Sequence, residues 1–187
     1  MKQYHAVIEG IAPLLQHRYL FKDEIEASAK KRSGAVDYSE EWKKALYWDK
    51  KEGLYQPATH IEGCLIKAAV NFQITGKRKK TYKDLMKSVV FVKPEAIPYG
   101  YKEKTPEALL ESGKIQIHKS TVVIQRARVE RLRPMLPPGW KLEFSIEVCD
   151  EQFLKDALVE ILNYGGRFVG ISDYRPRYGR FSVLKFT

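Results

Sequence analysis

Cysteine is scarce in this chain: Cys64 and Cys149 are the only two. They share no CxxC spacing and both sit in apolar-patterned segments. That argues against a disulfide framework or a thiolate metal site and leads us to expect buried, reduced thiols. Histidine is nearly as sparse. His5, His17, His60 and His118 are scattered without metal-ligand spacing, so no metal and no cofactor is expected. No apolar run approaches the roughly 20 residues of a membrane span, and the opening residues lack the apolar core of a secretory signal. The expectation is a cytoplasmic protein with no membrane partner. Paired carboxylates, a Ser/His/Asp order and a phosphate-cradling Walker loop are also missing, so the sequence carries no positive signal for catalysis.

What the chain has is positive charge, and it is concentrated. The formal balance is +10. Residues 77–87 carry Lys77, Arg78, Lys79, Lys80, Lys83 and Lys87 against Asp84, a net +5. Residues 114–133 carry Lys114, Lys119, Arg126, Arg128, Arg131 and Arg133 against Glu130, again +5. Residues 165–185 add +4, leaving the remainder of the chain slightly acidic. Windows of this kind point to an acidic partner rather than to a uniformly solvated surface.

The third window overlaps the stretch from Tyr164 to Phe181, where four glycines and four arginines interleave with aromatic residues. Glycine lets backbone come close to a partner. Arginine presents a planar fork of donors to phosphate oxygens, and an aromatic face accepts a stacked base. Gly165, Gly166, Gly170 and Gly179 are expected to shape a loop. Arg167, Arg175, Arg177 and Arg180 would reach phosphate, with Phe168, Tyr174 and Tyr178 available for stacking. Asp173, in the middle, has no evident role. Lys77, Arg78, Lys79, Lys80, Lys119, Arg126 and Arg128 complete the expected nucleic-acid contacts. The alternative for each cluster is a solvated helix end or strand face, and Glu143 and Glu147 are potential partners for Arg126 and Arg128.

Periodicity supplies the frame. Residues 3–9 alternate as a first strand. Glu40 to Trp48 suits a short amphipathic helix, and Ala29–Gly34 a loop. Thr59 is placed as N-cap of a helix over 60–72, in which Gly63 suggests close backbone approach rather than helix propensity. Thr81–Met86 suits a short helical turn and Ser88–Lys93 a strand, with an irregular stretch over 97–113. Residues 115–118 and 122–129 are β-like. Leu142, Phe144, Ile146 and Val148 alternate against Lys141, Glu143, Ser145 and Glu147 as a half-buried strand. Asp150 caps a second helix whose stripe is Phe153, Leu154, Ala157, Leu158, Ile161 and Leu162, with Gly165 at its C′ position. Residues 180–186 form the last strand. The order is βαββαβ: an α+β, ferredoxin-like (RRM-like) fold with an antiparallel sheet and two helices, in one domain over 1–187.

Two stretches then resemble a known family. Leu54-Tyr-Gln-Pro-Ala-Thr-His-Ile-Glu-Gly63 is similar to the proline, small residues and glycine that open the first helix of RAMP proteins, the repeat-associated subunits of CRISPR effector complexes. The closing Gly165-Gly-Arg, Gly170 and Tyr178-Gly-Arg-Phe resemble the glycine-rich loop of that superfamily. The resemblance implies one ferredoxin-like unit, with insertions at about 17–53 and 76–113. It further implies a backbone-type subunit, of a CRISPR effector or of a phage or mobile-element relative, that binds single-stranded nucleic acid, RNA rather than DNA. Such a subunit assembles side by side, as a homo-oligomer or filament or with other effector subunits, in antiviral defence. The alternative it implies is an endoribonuclease of the same fold, with His17, Asp23 or Asp37 as formal candidates. The enzyme question is open and leans towards no catalytic residue.

Overall fold

The structure is a computed structural model that describes residues 1–20, 41–77, 79–124, 127–150, 153 and 155–187. Asp23, Asp37, Arg78, Arg126 and the loop expected over 29–34 lie outside the described residues, as does most of the region anticipated as the first insertion.

The protein is a mixed α+β fold with antiparallel sheets. Strand β1 (Lys2–Gly10) lies at its centre, with Ala6, Ile8 and Gly10 turned into the core. We number the next strands in chain order: β2 (Leu14–Leu15), β3 (Trp48–Asp49), β4 (Gly53–Pro57), β5 (Val90–Lys93) and β6 (Ala96–Pro98). The hairpin strands are β7 (Gln116–Ile124) and β8 (Ala127–Leu136), followed by β9 (Lys141–Val148) and β10 (Phe181–Phe186). The helices are α1 (Glu41–Lys44), α2 (Ala58–Ala68), α3 (Lys83–Val89), α4 (Pro106–Glu111) and α5 (Lys155–Tyr164). The main sheet has the order β10-β1-β9-β5, every neighbour antiparallel. It follows that β1 runs parallel to β5 across β9, and β9 parallel to β10 across β1.

The register of β9 on β1 places Leu142 opposite Ile8, Phe144 opposite Ala6 and Ile146 opposite Tyr4. A slip of one residue would turn this apolar set to solvent and bury Glu143 and Glu147, so patterning alone selects the pairing. Helices α2 and α5 touch one another and lie against β5 and β10 respectively, and so cover the same face. They bury Ile61, Cys64, Leu65 and Ala68 from α2, with Leu158, Ile161 and Leu162 from α5. At the outer edge, the Glu62 carboxylate accepts the Val92 N–H of β5 at 2.9 Å.

Several expectations shift in detail. Helix α2 begins at Ala58, without side-chain capping by Thr59, because the Glu95 carbonyl accepts the Ala58 N–H at 2.8 Å and satisfies an orphan donor through tertiary structure. It ends in a 3-10 turn over Ala69–Asn71. The span 76–113 is not wholly an insertion, since α3 and β5 belong to the core and β6 pairs with β4. Residues 116–136 lie outside the main sheet. Their two strands pair only with each other and with β2, as a hairpin of nine residue pairs. Cys64 is buried as expected, whereas Cys149, just past the end of β9, is exposed. Among the described residues, no helix is long and apolar enough to cross a membrane.

One junction fixes the end of β1. The indole of Trp140 lies where a side chain on Gly10 would go, and its Nε1–H donates to the Ala12 carbonyl at 2.9 Å. A Cβ at Gly10 would overlap the indole, which is 2 % exposed and has no free direction to move. Gly10→Ala should therefore overpack the core by about 1–3 kcal/mol or more. Thermal denaturation should show a Tm loss of roughly 3–10 °C for a chain of this size.

Candidate nucleic-acid interface

The closing segment leaves α5 without the C-cap anticipated at Gly165. The chain instead widens into one π-helical turn over Gly165–Val169, closed by the Gly170 N–H on the Gly165 carbonyl at 2.8 Å. The left-handed residue is Gly170, at φ 73°. Gly165 and Gly166 are required by contact rather than by φ. A Cβ on Gly165 would press on Cys64 Sγ of α2 at 2.9 Å, and one on Gly166 would overlap Phe181 of β10. Gly179, also left-handed, lies against the Ile171 backbone with no room for a side chain.

Between these glycines the segment is tied down at several points. Asp173 N–H donates to the Leu15 carbonyl at 3.1 Å and Gly179 N–H to Pro13 at 2.8 Å. Ser172 and Tyr174 both hold positive φ without being glycine. Such residues persist only where their surroundings over-determine them. Here the surroundings centre on Asp173, the residue with no role evident from sequence. Its Oδ2 lies 3.6 Å from His17 Nδ1 and 3.3 Å from Arg133 Nε. His17 and then the Arg133 charge, together with the Tyr174 N–H, hold the carboxyl below its ordinary range against the effect of burial. The Arg133 guanidinium in turn covers the Tyr174 ring at 4.8 Å and donates to Ser120 Oγ at 3.3 Å. Tyr178 meets His118 Nε2 at 3.2 Å. The closing segment thus rests on the base of the β7–β8 hairpin.

This contact brings two of the three basic windows together, although it uses His118 and Arg133 while Lys119 and Arg128 alternate onto the other face of the hairpin. Arg167, Arg175, Arg177 and Arg180 are exposed on the closing segment, and Lys119 and Arg128 are exposed on the hairpin. Lys77, Lys79 and Lys80 occupy a separate exposed turn closed by the Gln73–Thr81 bridge, beyond the far end of α2. Phe72 leads into that turn and packs edge-on against Tyr164, on which Phe168 leans at 4.8 Å while remaining 61 % exposed. Tyr178 is half-buried against His118 and Tyr174 lies under Arg133, so Phe168 is the aromatic of the three with the freest face. Glu143 and Glu147 do not neighbour Arg128, because β8 is not in the main sheet. The open face of that sheet carries Glu9, Glu143 and Glu147 beside His5, Lys93 and Lys141, with Glu143 bonded to His5. It is electrostatically mixed and poor in aromatics, unlike the stacking platform of an RNA-recognition module.

Behind the closing segment lies a polar network that was not visible in the sequence. Gln56 Oε1 accepts the Tyr99 hydroxyl at 2.8 Å and faces Gln16 Nε2 at 3.5 Å, which orients the Gln56 amide nitrogen towards His60 Nδ1. Nδ1 is then an acceptor, and the proton sits on Nε2, facing the Tyr47 hydroxyl at 3.5 Å. Burial, then the charge of Arg175, pushes the His60 imidazole down to about 4, with Asp173 opposing. Burial likewise pushes the Cys64 thiol up to about 12, while Arg175, the Gly170 N–H and Lys67 pull the other way. The network joins residues some 40 positions apart, so no local pattern reveals it.

The depressed His60 value has a measurable consequence. The unfolded chain takes up a proton near pH 6.5, whereas the folded protein resists until about pH 4. Stability conferred by neutral His60 is complete above the unfolded value and is lost as pH falls across that window. Thermal melts of the wild type should decline from pH 6.5 to 4, and His60→Gln should flatten that part of the profile. An unchanged slope in the variant would remove His60 as the cause. In comparisons with known proteins, no family model and no curated protein matches the chain.

Proposed function

We propose that the chain is a non-catalytic binder of single-stranded nucleic acid, RNA in preference to DNA, that assembles side by side along the strand. The observation that carries this reading is the set of four exposed arginines on the closing segment together with the open ring of Phe168. The closing segment bears four exposed arginines and abuts the hairpin that bears Lys119 and Arg128. Guanidinium groups in that arrangement suit successive phosphates, and the open ring of Phe168 suits a stacked base. The fold is read here as the ferredoxin-like split βαβ unit. Supporting it are the order β10-β1-β9-β5 and two helices that cover one face. The RAMP resemblance agrees with that topology. The loop similar to the glycine-rich motif follows α5, and the stretch similar to the helix-opening motif forms β4 and the start of α2.

Binding is tested by fluorescence anisotropy with single-stranded RNA and DNA of increasing length across a salt series. Log affinity should fall linearly with log salt by about 0.7 per phosphate neutralised. Replacing Arg175, Arg177 and Arg180 together by alanine should flatten that slope, and Phe168→Ala should cost about 1–3 kcal/mol if a base stacks there. Mass photometry should show multimers that grow with oligonucleotide length. Salt-insensitive binding, or a protein that stays monomeric on long strands, would overturn the reading.

One observation favours a second reading, that of an endoribonuclease. His17 is half-exposed, lies 3.6 Å from Asp173, and lines a cleft of about 260 Å³ with Arg18, Lys44, Arg131 and Arg133. A histidine set by a carboxylate among cations is suited to moving the proton of a 2′-hydroxyl. Metal-independent cleavage of RNA that is lost in His17→Ala would establish it, and RNA left intact by the wild type would dismiss it.

A further inference from the structure

Four buried polar atoms at the base of the hairpin have no hydrogen-bond partner in the protein: His118 Nδ1 of β7, Arg133 Nε of β8, and Ser172 Oγ and Asp173 Oδ2 of the closing segment. Among the described residues no other buried side-chain nitrogen or oxygen is left unpaired. The four gather at one junction. His118 stands opposite Arg133 in the β7–β8 register, and Arg133 Nε lies 3.3 Å from Asp173 Oδ2 without the alignment of a hydrogen bond. Ser172 precedes Asp173 in the strained stretch of the closing segment. Arg133 is only 8 % exposed, so bulk solvent does not serve its guanidinium there. Buried polar groups are almost always satisfied, by protein or by ordered water. Four orphans in one place therefore mark a site for a bound molecule rather than four separate failures.

The chemistry of the four decides what that molecule is. The Arg133 Nε–H can only donate, and Asp173 Oδ2, in an ionised carboxylate, can only accept. A metal cation would meet the guanidinium, and an anion would meet the carboxylate. An ammonium ion has no lone pair to offer Arg133. The occupant must be small, neutral and able both to give and to take hydrogen bonds. We propose that the junction between the closing segment and the β7–β8 hairpin holds an ordered internal water. It accepts from Arg133 Nε–H and donates to Asp173 Oδ2. Ser172 Oγ and His118 Nδ1 can each serve in either sense, so one gives and the other takes, which completes the bonding of a buried water. The hairpin and the closing segment are then joined through this molecule as well as by the Tyr178–His118 contact. The inference stands apart from the nucleic-acid reading.

The test uses the full wild-type chain without nucleic acid, near neutral pH. A crystal structure at a resolution that shows ordered water should carry one spherical density peak in the junction. It should lie about 2.7–3.2 Å from Arg133 Nε and Asp173 Oδ2, and within the same reach of His118 Nδ1 or Ser172 Oγ. In solution, nuclear Overhauser spectra should show a cross-peak between a long-lived water and the Arg133 Nε–H proton. Arg133 Nε bonded directly to Asp173 Oδ2, with no peak between the two elements, would overturn the proposal. So would another protein group found bonded to these atoms, or a peak with the scattering of an ion. An Arg133 Nε–H that exchanges with bulk solvent and shows no long-lived water would overturn it in solution.

Discussion

The contact of Gly165 and Gly166 with α2 and β10 is the constraint on which the rest of this fold depends. Two consecutive residues without side chains let the chain leave α5 between Cys64 and Phe181, so α5, α2 and the last strand meet at van der Waals distance. From that point the backbone has one way out, through the π-helical turn and along α2 towards the base of the hairpin. The exposed arginines are carried along that route. Their placement follows from packing beneath them, not from any preference of their own.

Asp173 performs the second act of positioning. A carboxylate among so many cations looks out of place, yet here it faces inward, to His17 and Arg133. It holds Ser172 and Tyr174 in conformations that an isolated peptide avoids. By engaging Arg133, it also takes that guanidinium out of the basic surface and turns it into a support for Tyr174. The charge count of the window from Lys114 to Arg133 therefore overstates what is available at the surface. Arg131 is occupied by Glu41, and Arg133 is nearly buried.

How much of this was legible depended on the range of the interactions. Strand β9, strand β10 and helix α5 follow from alternation or a clean stripe, because each buries one face of its own residues. The hairpin does not. Residues 122–129 read as one long strand, yet one strand ends at Ile124 and the next begins at Ala127, and nothing local states that the two pair with each other and not with the central sheet. Gly165 reads as a helix cap in the sequence because a glycine after a helix looks the same whether it is needed for its dihedral angles or for the absence of its side chain. The network of Gln16, Gln56, His60 and Tyr99 lay beyond any sequence pattern, since each member is an ordinary polar residue until the fold brings it beside the others.

The bond from Val92 to Glu62 has a bearing on how copies of this chain could meet. An uncovered sheet margin is a template on which a neighbour's main chain can add, and growth by that route has no built-in end. With a carboxylate seated on its amide, the β5 margin is closed to such addition, and at the opposite margin a register irregularity between Val7 and Ile8 interrupts the pairing of β10 with β1. Lateral growth by endless strand addition is thereby discouraged at both margins. A row of these molecules would take its spacing from whatever lies beneath it, as beads do from a string.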